Sequence, residues 1–314
     1  MTSPAIARVR RAFDNPYLLL TIPPLCWGSN IVLGRYIAGH VPPVALSEAR
    51  WIGAFLLLLP FTLGHVRRDW PAIRRQLPIM LLLSLTGITL YNTLAYAALQ
   101  ETAALNGLLM QSVMPLMIGA WSLILYGDRL TRFQLAGILC SLAGVVAIVT
   151  RGDPATILTL TVNRGDAIMV GAVAIYALYS ALLKRRPAIH PMSFLTVTIG
   201  FGAVMLAPAY VWEISTGYVF QADGLTVATI VYVILFPSLL AYFAFNRGVG
   251  MIGPNRAGPF FHLIPVFGSA MAIVFLGEAP AWYHGVGYAL VLASVALAQR
   301  RARPTKPAGD KSAG

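Results

Sequence analysis

The sequence predicts an all-α membrane protein, with ten transmembrane helices built as two inverted five-helix repeats around a central cavity. Three observations lead there. Hydrophobic residues are 58% of the chain and charged residues 11%, about half the charge of a soluble domain, with a mean hydropathy of +0.72. Ten apolar runs each approach the ~20 residues that a helix needs to cross a bilayer. A block beginning at Gln100 also recurs further on, so that Pro115 matches Pro265, Gly127 matches Gly277, Asp128 matches Glu278 and Gly137 matches Gly287, a constant offset of 150 residues. A fixed long period describes architecture before any single residue does.

In order, the runs are 17–38, 43–64, 77–98, 102–125, 131–150, 165–185, 191–213, 225–246, 254–276 and 281–299. Residues 1–16 read as a cytoplasmic segment, 17–150 as the first five-helix repeat, 151–164 as the inter-repeat loop, 165–299 as the second repeat, and 300–314 as a disordered basic tail. The first run, preceded by Arg8, Arg10 and Arg11, is too long for a signal-peptide core and reads as a retained span. First and sixth runs align at an offset of 149, with Pro42 on Pro191, Trp27 on Tyr176, Asn30 on Tyr179 and Arg35 on Lys184.

Of 23 Lys and Arg, all but Arg35, Arg50, Arg151 and Arg164 fall in one alternate set of connecting and terminal segments. That asymmetry places both termini in the cytoplasm. With five spans per repeat, the two units enter the membrane from opposite sides. Inverted repeats of this kind are characteristic of secondary transporters.

Composition also excludes. A net charge of +12 would suggest nucleic acid in a soluble chain, but here the basic residues sit between apolar runs, so no nucleic-acid partner is expected. Cys26 and Cys140 lie inside runs and form no disulfide or metal pattern. The five histidines, His40, His65, His190, His262 and His284, have no HExxH spacing, and no GxSxG or GxxxxGK(S/T) occurs. An intramembrane enzyme, a metal site, a cofactor and ATP drive within the chain are therefore not expected. A receptor or scaffold without transport is the remaining rival class.

The stretches WGSNIVLGRYI and EARWIGAFLLLLP and the repeated Pro…G(D/E)…G block resemble the EamA family of the drug/metabolite transporter superfamily, over nearly the whole chain. The resemblance implies ten helices around a central cavity and export of small metabolites. Arg50 falls at the family's second-span Arg, and Asp128 and Glu278 at its Gly-Glu position. The second half departs from the pattern, with Ile199 opposite Arg50 and Ala279 opposite Arg129. Among family members the aromatic interior looks most like the YddG-type exporters of aromatic amino acids.

Polar residues inside spans are costly in lipid and mark cavities. Candidate substrate-binding residues are Trp27 and Asn30 in the first run, Tyr91, Asn92 and Tyr96 in the third, and Gln111 in the fourth. Tyr176 and Tyr179 follow in the sixth, Ser238 and Tyr242 in the eighth, and His262 in the ninth. Amide and hydroxyl groups suit the polar end of an amino acid and aromatic faces suit its side chain. Interhelical hydrogen bonding would use the same residue types.

Pro115 and Pro265 remove a mid-helix donor, and the resulting kinks either flex for gating or shape the bundle. Asp128 and Glu278 are expected to organise loop ends, Asp128 by pairing with Arg129 or Arg132. Glu48 and Arg50 are expected to form an ion pair or to line the exit. Since the acidic residues fall in loops or near span ends, the expected mechanism is a facilitator, working as a monomer in the inner membrane. A proton-coupled exporter of drugs or other small metabolites is the alternative.

Overall fold

A computed structural model describes residues 14–102, 104–153, 155, 163–217, 221, 223–276 and 281–298. Gly277, Glu278 and Ala279, the tail 300–314, most of the first sixteen residues and most of the loop 151–164 lie outside them. Every regular element among the described residues is helical.

The helices are α1 (Pro16–Tyr36), α2 (Pro43–Arg75), α3 (Leu77–Glu101), α4 (Ala104–Gln111), α5 (Met114–Tyr126), α6 (Arg132–Val149), α7 (Arg164–Arg185), α8 (Pro191–Ser215), α9 (Gly224–Ile252), α10 (Pro254–Ala257), α11 (Leu263–Leu276) and α12 (Trp282–Ala298). A tight 3-10 stretch, Gly258–His262, joins α10 to α11. Seven of these helices, α1, α2, α3, α6, α7, α8 and α9, are long and apolar enough to cross a membrane by length and composition.

Local sequence accounts for the boundaries. Asn15 caps α1 by accepting from the Tyr17 and Leu18 amides at 3.0 and 3.3 Å. Thr131 with Gln134, and Asn163 with Asp166, form reciprocal capping boxes at the starts of α6 and α7, satisfying donors that the first turn leaves over. Gly127, at φ 70°, ends α5 in the left-handed conformation that glycine adopts without strain.

Two expectations are corrected here. Helix α2 does not stop near residue 64 but runs 33 residues to Arg75. At ~1.5 Å per residue it is about 50 Å long, well beyond the ~30 Å hydrocarbon layer, because the run passes directly into a helix carrying Arg67, Arg68, Arg74 and Arg75. The fourth and ninth runs are interrupted rather than kinked. Pro115 lies in the first turn of α5, after a break at Ser112–Val113, and Pro265 is the third residue of α11. A proline in a first turn forfeits no hydrogen bond.

Helices α3 and α9 each contain one widened, π-helical stretch, Leu85–Leu90 and Ile234–Leu240. The first residues are 149 apart in sequence, since 234 − 85 = 149. Helix contacts show a similar correspondence between the halves. Helix α3 packs on α7 as α9 packs on α1, and α5 packs on α7 as α11 packs on α1, while α2 faces α8 and α6 faces α12. Gly144 and Gly287 let α6 and α12 approach closely, for a Cβ on Gly144 would sit 2.8 Å from the Gly287 carbonyl.

The two ends are held differently. At the arginine-rich end, Lys184 pairs with Asp128 at 2.5 Å; Asp128 was expected to find Arg129 or Arg132, but the side chain it meets comes from α7. There too the His190 amide donates to Asp69 at 3.0 Å, and the His190 ring stacks on His65 with centroids 4.0 Å apart. At the far end, Glu213 of α8 accepts from the first amides of α2, Val44 at 3.0 Å and Ala45 at 2.6 Å. Arg35 of α1 donates to the Leu99 and Gln100 carbonyls that finish α3. His40 pairs with Asp223, the cap of α9, at 2.9 Å. The backbone amide of Thr226 is the main influence holding the Asp223 carboxyl below the usual range.

Candidate functional site

The centre of the bundle is filled by rings. Trp27 of α1 lies 5.6 Å from Tyr176, 5.8 Å from Tyr242, 5.4 Å from Phe245 and 5.5 Å from Phe261, centroid to centroid. Most of these pairs meet edge-on, whereas Phe261 stacks with 17° between planes. Tyr176 also touches Tyr91 at 4.4 Å and Tyr179 at 5.1 Å. Edge-to-face and offset geometries suit the quadrupoles of aromatic rings. The expected central cavity is thus occupied by side chains in this conformation, with Tyr176, Tyr179 and Tyr242 fully buried.

The widened turns supply polar partners. Widening a helix releases carbonyls from the regular ladder, and in an apolar interior these must be satisfied by other groups. The Gly87 carbonyl of α3 accepts from the Tyr242 hydroxyl at 2.5 Å. The Pro237 carbonyl of α9 accepts from Trp27 Nε1 at 3.1 Å. Each widened turn is therefore read by a ring from the other half of the chain.

Around Tyr242 runs a polar network centred on Arg50. Arg50 Nε donates to Ser238 at 2.8 Å, and Nη1 donates to Asn92 Oδ1 at 2.9 Å and to the Tyr96 hydroxyl at 2.8 Å. Asn92 Nδ2 donates to Tyr242 at 2.9 Å, and Tyr96 donates to Asn30 at 2.9 Å. The guanidinium carbon also lies 4.5 Å from the Trp51 ring centre and 5.7 Å from that of Tyr96. Separately, Gln111 donates to Tyr91 at 2.8 Å, and Tyr179 donates to Asn246 at 2.6 Å.

Of the sequence candidates, Trp27, Asn30, Tyr91, Asn92, Tyr96, Gln111, Tyr176, Tyr179, Ser238 and Tyr242 are joined by these ring contacts and hydrogen bonds, partly through Arg50. His262 stands apart. Its Nε2 donates to the Ser112 carbonyl at 2.6 Å, which leaves Nδ1 to accept from the Ser141 hydroxyl. His262 thereby ties the break between α4 and α5 to α6. Pro115 packs against the equivalent break, its Cα 3.5 Å from the position a Gly258 Cβ would take.

Sequence reading left Arg50 and Glu48 out of the site, as an ion pair or an exit lining. They are not paired. Arg50 is fully buried among neutral groups, while Glu48, 3% exposed, borders an apolar crevice of about 450 Å³ between α2 and α8. Two residues apart on a helix, they cannot share a face. Capacity for further bonds remains inside the bundle, where Arg50 Nη2, the Tyr176 hydroxyl, Gln111 Oε1, Asn246 Nδ2 and Glu48 Oε2 are buried without partners. At the far end a polar vestibule of about 760 Å³ is lined by residues that include His40, Pro43, Glu101, Arg164 and Glu213.

Among the described residues no cluster of His, Cys, Asp and Glu is arranged to hold a metal ion. The arrangement offers a buried aromatic enclosure with amide, hydroxyl and guanidinium groups at its edge.

Comparison with known proteins identifies the family. The chain is similar to an uncharacterized transporter, YyaM, of Bacillus subtilis, 29% identical over 90% of this chain and 93% of that protein. It is also similar to a probable terminal-alkyne amino-acid exporter of Streptantibioticus cattleyicolor, 26% identical over 72% and 74%. A probable amino-acid metabolite efflux pump of Salmonella typhimurium matches at 25% identity over 86% and 89%. One crystal structure shares the fold with a TM-score of 0.68 and 21% identity, covering 90% of this chain and 96% of its own. The EamA-like transporter family matches residues 15–150 and 163–299, and the protein belongs to that family of multi-pass membrane transporters.

Proposed function

We propose that the protein exports amino acids with apolar or aromatic side chains across the inner membrane by alternating access. The observation that carries this reading is the ring enclosure around Trp27, Tyr176 and Tyr242, bordered by buried groups with unused hydrogen-bonding capacity. Aromatic faces receive an apolar side chain, and Gln111 Oε1 and the Tyr176 hydroxyl are acceptors suited to an ammonium group. Relatives named as amino-acid exporters support it.

Residues 17–150 and 165–299 act as the two inverted units, with the arginine-rich end and both termini in the cytoplasm. The exchanged helix pairings and the paired widened turns support that arrangement, in which swapping the units' conformations swaps the open side. The breaks before Pro115 and Pro265 are the flexing points. The protein works as a monomer and as a facilitator, substrate moving down its own gradient.

The test is uptake of labelled L-phenylalanine into proteoliposomes. Uptake without any imposed pH or Na⁺ gradient is the expected result, reduced in Tyr176→Ala and Tyr242→Ala. A second reading, proton-coupled export of drugs or other small metabolites, is favoured by Glu48, a buried carboxylate with an unpartnered oxygen beside an apolar crevice. Uptake that demands a pH gradient and is lost in Glu48→Gln would select it.

A further inference from the structure

Arg50 is fully buried, yet no described carboxylate forms an ion pair with it. A guanidinium carries five N–H donors in a planar fork and cannot shed its charge. Nε spends its hydrogen on Ser238, and Nη1 spends both on Asn92 and Tyr96. These acceptors are neutral. Nη2 is buried with no partner at all. A cation left with two unused donors in an apolar interior is a strong attractor for an anion.

The surroundings narrow the anion. With Nε and Nη1 engaged, only Nη2 can donate, so contact is end-on through one nitrogen, which favours exchange over tight holding. The Arg50 guanidinium lies over Trp51. Trp51 meets Tyr242 at 5.4 Å and Tyr242 meets Trp27 at 5.8 Å, so an apolar body attached to the anion continues directly into the ring enclosure. Arg50 is also two helical turns along α2 from Pro43, on the wall of the far vestibule. Ile199 stands at the matching place in the other unit, so the molecule holds one such anchor.

We propose that Arg50 Nη2 is the docking point for the carboxylate of the transported molecule, making a carboxylate a requirement for carriage. The proposal rests on the exporter reading above and narrows it to carboxylate-bearing substrates. Ser238, Asn92 and Tyr96 hold the guanidinium in place. Substrate adds the acceptor that Nη2 lacks.

The test is counterflow of labelled L-phenylalanine in proteoliposomes, with two competitors. Phenylpropionate keeps the carboxylate and lacks the ammonium, whereas L-phenylalaninamide keeps the ammonium and lacks the carboxylate. Phenylpropionate is expected to compete, and the amide to need about tenfold more, the scale of one charge-assisted hydrogen bond. In Arg50→Gln that elutes as wild type does, the difference between acid and amide is expected to vanish.

Equal competition by acid and amide in the wild-type protein overturns the anchor while leaving amino-acid export standing, and needs no variant to fold. Discrimination surviving in folded Arg50→Gln overturns it as well. If phenylalanine does not move at all, the amino-acid reading falls. Labelled phenylpropionate then becomes the probe, its Arg50-dependent passage sustaining the anchor and its failure to pass overturning it.

Discussion

The two halves of the chain use the same landmarks for different purposes, and the difference shows best where matched positions touch. Asn92 and Tyr242 are 150 residues apart and bond to each other at 2.9 Å. Ser112 and His262 are also 150 apart, and the histidine donates to the serine carbonyl at 2.6 Å. Residues that meet their own counterparts gain a hydrogen bond when one side donates and the other accepts. Asn92 and Tyr242 supply that complementarity through unlike side chains, whereas His262 finds it in a backbone carbonyl. Away from these meeting points the halves stay alike, as in the widened turns of α3 and α9 and the first-turn prolines of α5 and α11. Likeness builds the frame, and unlikeness makes the site.

Forcing the halves to match at the site is expected to have the largest effect. Ile199→Arg would put a second guanidinium at a fully buried position, with no acceptor network known to receive it. An uncompensated buried charge costs about 3–5 kcal/mol, enough to prevent recovery of monodisperse protein on size-exclusion chromatography. A normal elution profile would mean that the second half already contains partners for a cation.

Next in size is the frame itself. In Gly144→Leu the added atoms would meet the Gly287 carbonyl and Leu290, and overpacking of this kind costs about 1–3 kcal/mol. A clear fall in thermal midpoint is expected, and an unchanged midpoint would show that α6 and α12 separate freely.

Two tyrosines separate holding from binding. Tyr242→Phe removes the shorter of two partners from both the Gly87 carbonyl and Asn92 Nδ2, leaving the 3.4 Å bond between them, at a cost of about 1 kcal/mol in stability. Tyr176→Phe removes a hydroxyl that makes no hydrogen bond of good geometry, so stability should hold or rise while amino-acid transport slows. Transport and stability both unchanged in Tyr176→Phe would take that hydroxyl out of the site.

The smallest effect concerns pH at the far end. The Asp223 carboxyl is held below its ordinary value, first by the Thr226 amide. Its contribution to the start of α9 is present above the unfolded value of about 3.9 and is lost as pH falls through the lower folded value. Hydrogen exchange at residues 224–228 should therefore quicken only under strong acid. Quickening already near pH 6 would show that Asp223 does not hold the start of α9.

Much of this was legible in the sequence, and its limits are physical. Apolar runs gave the helices, because a lipid-facing segment must satisfy its backbone internally. Thr131 with Gln134 and Asn163 with Asp166 are readable capping pairs, since a cap needs only its neighbours. The extension of α2 to Arg75 was hidden because hydropathy ends where lipid ends, not where the helix does. Periodicity placed Asn92, Tyr96, Ser238 and Tyr242 on inward faces but could not say what they face. Arg50 was underrated for that reason: its three partners lie on α3 and α9, and one of them is 188 residues away. Asp128 was matched to nearby arginines, yet Lys184 reaches it from 56 residues off.

On the proposed function, amino acids pass through the enclosure around Trp27, Tyr176 and Tyr242. Counterflow in proteoliposomes preloaded with unlabelled L-phenylalanine tests it most directly. Rapid accumulation of labelled L-phenylalanine without an imposed ion gradient is expected, slowed in Tyr176→Phe and Tyr242→Ala. No accumulation above protein-free liposomes, from protein that elutes as a single folded species, would contradict it.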